Sequence, residues 1–203
     1  MNISNLEDLI VLHVPDASSM VLQHAIRQAA VRFAREAEVL VDYACLRTQC
    51  GVPEYDLPMP DCRRLVSVTG VEVACDGFNL WRDDGDAFNG CRWNMDEYHP
   101  IIVLRQAPAR DDDRIDVRYV WAPAREECDI PEEFYERWAE AVKHAALADL
   151  FSMPKQEWSS PQSVTLHEHY YQVELGAARA KRWHNYSRRP LTIASRPFLG
   201  PRR

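Results

Sequence analysis

His167, Glu168 and His169 are the first residues in this chain whose types suggest a metal ion. On a helix, side chains two positions apart point about 200° away from each other, so these imidazoles cannot close on one ion as a pair four residues apart does. The expectation is a solvated helix face. The cysteines, Cys45, Cys50, Cys62, Cys75, Cys91 and Cys128, include no Cys-x-x-Cys pair. They read as separate structural thiols in a reducing compartment, because chelating pairs lie about two to four residues apart. Asp83, Asp84 and Asp86 offer oxygen ligands, but the twelfth position counted from Asp83 or Asp84 is Asn94 or Met95 rather than Glu, and the glycine is misplaced for a calcium loop. Asp111, Asp112 and Asp113 read as a solvated turn between strands. There is no Gly-x-Ser-x-Gly elbow, phosphate-cradling loop or dinucleotide fingerprint, and only seven glycines are present to build one. No catalytic, cofactor-binding or metal-ligating residue is assigned, and a hydrolase with a metal at His167, His169 or the cysteines is the least supported class.

Charge is more informative than motif. All 31 acidic side chains and 16 of the 24 basic ones fall in residues 1–174, leaving that part at −15, while residues 175–203 carry +8 and no carboxylate. Such asymmetry puts the strongest long-range field at one end and points to a macromolecular partner. Trp183 and Tyr186 beside Arg182 and Arg188 could stack on bases, but an acidic body repels a phosphate backbone. Those two rings read more simply as the end of a helix packing on its own domain. The segment 188–203 also spaces apolar anchors, Leu191, Ile193, Phe198 and Leu199, between Pro190 and Pro197. A solvating tail has no use for them. The first 15 residues lack a basic leader and a spanning apolar run, so neither a signal peptide nor a membrane anchor is expected.

The elements that must position these residues follow from periodicity. Residues 16–37 read as a helix capped by Asp16, with Val21, Leu22, Ala25, Ile26, Ala29, Ala30, Phe33 and Ala37 on one face. Residues 39–128 turn β-rich, with strands expected at 39–48, 65–74, 78–82, 101–106 and 115–121, a bulge at Gly70 and a hairpin at Asp76-Gly77. Pro53, Pro58 and Pro60 argue against a central strand there. A second helix starts at Asp129 and Pro131, runs through Phe134, Trp138, Ala141, Val142, Ala145 and Ala148, and stops near Ser152 before Pro154. A third begins at Ser160-Pro161, with Leu166, Tyr170, Val173, Ala177 and Ala180 expected to face the core. The short link predicts an antiparallel pair. The expected fold is α+β: an antiparallel bundle of three main helices (16–38 and 129–187), a β-rich insertion (39–128) and an extended C-terminal arm (188–203).

The run GVPEYDLPMPDCRRLVSVTGVEVACDGFNL after LQHAIRQAAVRFARE, and then ERWAEAVKHAALADLFSMPKQEWSSPQ and the closing Arg-Pro-Phe, resembles the head-to-tail adaptor (connector or head-completion) proteins of tailed bacteriophages. The resemblance spans about residues 18–198, in short motifs that are structural rather than chemical. It implies a virion protein of the neck, assembled in the host cytoplasm. Its copies would form a ring, dodecameric in the family, beneath the portal, with tail or neck proteins below and genomic DNA passing through without sequence-specific binding. It also implies an arm that docks on portal protein, here through Arg188, Arg189, Leu191, Ile193, Arg196, Phe198 and Leu199. No cofactor and no membrane are implied. The competing readings are another tail-completion protein and a small nucleic-acid-binding regulator using the basic arm.

Overall fold

The computed structural model describes residues 3–73, 91–94, 100–104, 107–124 and 130–186. Within them the chain is α+β, with antiparallel sheets and four helices rather than three: α1 (Ile3–Val11), α2 (Ser19–Ala37), α3 (Glu132–Phe151) and α4 (Pro161–Tyr186). The strands are β1 (Val41–Arg47), β2 (Glu54–Asp56), β3 (Arg63–Val73), β4 (Cys91–Asn94), β5 (Ile101–Leu104) and β6 (Arg114–Pro123).

The unexpected helix, α1, has nine residues, too few to hold on its own. It forms because Leu6 and Ile10, with Val14 just beyond, sink completely into the core against α2 and α3. Its docking moves the start of α2. The residue before that helix is Ser18, in extended conformation and making no side-chain cap, so Asp16 is not the cap. The apolar face of α2 is otherwise as the periodicity predicts: Leu22, Ala25, Ile26, Ala29, Ala30, Phe33 and Ala37 are all buried, whereas Val21 is only partly so. Its alanines permit close helix approach, and Phe33 fills the remaining space edge-on to Phe134 and Tyr171, with centroids 5.9 and 6.2 Å away. The α3 stripe from Phe134 to Ala148 is buried as expected. Its first residue is Glu132, with Pro131 preceding the helix, and Asp129 lies outside the described residues. α3 leaves helical dihedrals at Trp138, whose ring packs against Phe33 at 5.5 Å and under Lys181 at 5.2 Å.

α3 and α4 run antiparallel, since Trp138 meets Lys181, His144 meets His167, and Ser160 N–H donates to Phe151 O at the turn. The face of α4 turned inward is not the expected one. His167, Tyr171, Leu175 and Ala178 are buried, and Leu166, Tyr170, Val173, Ala177 and Ala180 are exposed. Both sets recur at three- and four-residue spacing, and spacing alone cannot say which meets the core.

The strands form two three-stranded antiparallel sheets, ordered β1-β6-β3 and β2-β5-β4. β6 is central and buries alternate residues Ile115, Val117, Tyr119 and Trp121 in a second core with Leu65, Val68, Val71 and Ile102. β3 slips register between Leu65 and Ser67 and again between Val68 and Gly70, which places the expected bulge beside Gly70. The proline-rich stretch does contribute a strand, but β2 is three residues long and lies at a sheet edge, where the prolines remove no ladder bond. The Asp76-Gly77 hairpin and the 78–82 strand lie outside the described residues. Leu40 packs against both cores and accepts a hydrogen bond from Trp121 N–H at 2.9 Å, so the sheet is joined to the helices at the exit of α2.

Candidate functional site

Among the described residues, two places on the inward side of α4 bring chemically capable side chains together. The first is an imidazole cluster. His13, after the end of α1, lies edge-on to His167 with centroids 6.1 Å apart, and His144 of α3 stacks on His167 at 5.2 Å. Phe151 covers the other side of His167 at 5.5 Å, and Tyr170 lies 5.0 Å from His144. His144 Nδ1 and His167 Nδ1 are 2.9 Å apart, so one must donate and the other accept, and the pair holds a single proton between them. Burial lowers the pKa of both; for His144 the Lys143 charge adds to this against Glu140 and Glu174, and for His167 the other two histidines add to it. The pair therefore suits a neutral, packed role. His167 is a correction to the sequence reading: it is buried, while its neighbour His169 stays on the solvent face. Among the described residues no three His, Cys, Asp or Glu side chains are grouped to hold a metal ion. Cys45, Cys50 and Cys62 are exposed, and Asp111 is not merely solvated, since its carboxylate accepts from Cys50 N–H.

The second place is a groove of about 410 Å³ lined by Gln28, Val31, Arg32, Arg35, Glu36 and Asp149. Arg32 organises it. Its Nη1 donates to Asp149 Oδ1 at 3.0 Å, and its guanidinium lies over the Tyr171 ring, 4.8 Å from the centroid. Its Nε–H is buried without an acceptor among the described residues. Burial raises the Asp149 pKa by more than the Arg32 charge lowers it. Tyr171 donates to Glu36 Oε2 at 2.9 Å, and burial, reinforced by that bond, pushes its phenol well above the ordinary value. Arg179 Nε donates to Glu36 O at 3.0 Å, placing a cation at the negative end of α2. These bonds clamp α4 onto α2.

The seven residues expected to dock on a partner, Arg188, Arg189, Leu191, Ile193, Arg196, Phe198 and Leu199, lie outside the described residues, which end with α4 at Tyr186. The side chains of Trp183 and Tyr186 are likewise not described. Sequence reasoning missed His13, His144, Arg32 and Asp149. His144 carried a signal, since it sits three residues after Ala141 and four before Ala148 on the buried stripe; Arg32 and Asp149 are 117 residues apart and carried none. No helix among the described residues is long and apolar enough to cross a membrane.

No family model matches the chain, and no curated protein matches it.

Proposed function

We propose that the chain is a ring-forming head-to-tail adaptor of a tailed bacteriophage, joining portal to tail and leaving a channel for DNA. The observation that carries this reading is the element order: a helix, a β-rich stretch, then an antiparallel helix pair whose second member, 26 residues long, leads into the basic, proline-spaced segment 188–203. In this reading α2, α3 and α4 are the bundle, residues 39–128 are the insertion, and 188–203 is a strap that lies along a portal subunit. Leu191, Ile193, Phe198 and Leu199 fill apolar pockets there, while Arg188, Arg189 and Arg196 pair with carboxylates. Ordering such a segment on contact costs entropy, so many straps acting together hold better than one. The protein then resides in the virion neck, is assembled in the host cytoplasm, and performs no covalent chemistry.

Deleting residues 188–203 tests this. The expected result is loss of binding to portal rings of the cognate phage with an unchanged circular dichroism spectrum; undiminished binding sinks the docking role. Arg188, Arg189 and Arg196 changed together to Ser should remove most of the salt dependence while leaving residual apolar binding. Salt-dependent capture of duplex DNA by the monomer would instead favour the nucleic-acid regulator.

A further inference from the structure

The exposed face of α4 carries an apolar seam. Leu166, Tyr170, Val173, Ala177 and Ala180 recur at intervals of four, three, four and three, the two-per-heptad repeat of a helix–helix contact, and the first three are 50%, 45% and 55% exposed. Among the described residues this face has little to pack on beyond the His144 ring beside Tyr170, because α4 packs inward through Tyr171, Leu175 and Ala178. A similar recurrence runs along the outer face of α2: Met20, His24, Arg27 and Val31 at four, three and four, with Met20 81% exposed.

Charge decides how these faces pair. The α4 seam is bordered on its α3 side by Glu174, which acts on His144, the ring beside Tyr170. Lys143 on that border is paired with Glu140, and Lys181 lies over Trp138. The α2 face carries exposed Arg27 and Arg35, and α2 has no carboxylate before Glu36. The α2 face against its own copy would oppose guanidiniums, whereas α4 against α2 sets Glu174 against Arg27 and Arg35. We infer that the α4 seam of one copy packs on the outer α2 face of the next copy. The contact joins two different patches, so it is heterologous and propagates head to tail until it closes. This inference rests on the ring reading and names its subunit contact. Three half-exposed side chains present on the order of 300 Å², below the ~800 Å² per partner of a stable pair. Single contacts are therefore weak, and only closure, which gives every copy two of them, makes the ring firm.

The test uses full-length chains in sedimentation up to about 1 mM. One variant loses the α4 seam (Leu166→Lys with Val173→Lys) and another the α2 face (Met20→Glu with Arg27→Glu); all four positions are exposed, and circular dichroism checks the fold. Wild type is expected to associate and each variant alone to stay monomeric. Mixing the two variants should yield a dimer and nothing larger, because each supplies the face the other lacks. A mixture that stays monomeric overturns the α4-to-α2 pairing. Variants that associate like wild type overturn the seam and leave the ring reading standing; a wild type monomeric throughout removes both. As an independent check, Arg27→Glu and Glu174→Arg should each weaken association about 10-fold, and combining them should recover most of that loss. Simple additivity of the two losses would count against the pairing.

Discussion

The two faces of α4 are alike in composition and opposite in fate. The inner face offers His167, Tyr171, Leu175 and Ala178, the outer Leu166, Tyr170, Val173 and Ala177, and each has an aromatic, an aliphatic and an alanine at helical spacing. What separates them is the polar partner available across the gap. Tyr171 finds Glu36 and Arg32 on α2, and His167 finds His144 on α3. Tyr170 touches His144 from outside and keeps nearly half its surface in water. An amphipathic side chain buries where its tip can be satisfied, and that depends on residues more than 20 positions away.

The sharpest way to break this contrast is to truncate one leucine or valine on each face. Leu175→Ala should cost about 2–5 kcal/mol in urea unfolding, because the side chain is 2% exposed and leaves a cavity, while Val173→Ala should stay within about 0.5 kcal/mol. Equal losses would mean the inner face is not the core. Tyr171→Phe comes next: it keeps the ring under Arg32 but removes the bond to Glu36, for an expected loss of about 1 kcal/mol, whereas Tyr170→Phe should be silent.

The smallest effect concerns pH. His144 and His167 both titrate below their ordinary value of 6.5, so the unfolded chain binds protons that the folded chain refuses. Their contribution is intact above about pH 6.5 and is lost as pH falls through the window beneath it, where the second proton forces two Nδ1–H groups together. Thermal melts between pH 7.5 and 5 should fall more steeply for wild type than for the His144→Leu/His167→Phe double variant. His13, Lys143, Glu140 and Glu174 face the pair and contribute to both curves. Parallel curves would show that the shared proton is not what senses acid.

Much of the fold was legible where one signal dominated. The α2 stripe, the α3 stripe and its stop before Pro154, the strands around β1, β3, β5 and β6 and the bulge at Gly70 all follow from local periodicity and turn chemistry. α1 was not legible, because nine residues give two helical repeats and its stability is borrowed from the core it enters. The orientation of α4 was hidden by its two competing stripes. The histidine pair and the Arg32–Asp149 clamp were hidden because each spans separate helices. The docking residues of segment 188–203 rest on sequence alone.

The way α4 is fixed has a mechanical consequence. A 26-residue helix is a rod about 39 Å long. It is pinned near one end by the imidazole stack and near the other by Arg179 on the α2 terminus and Lys181 over Trp138. A pull applied beyond Tyr186 along the rod loads these fastenings together in shear, rather than peeling them off one at a time. Tension on that segment is thus carried into α2 and α3 as a whole.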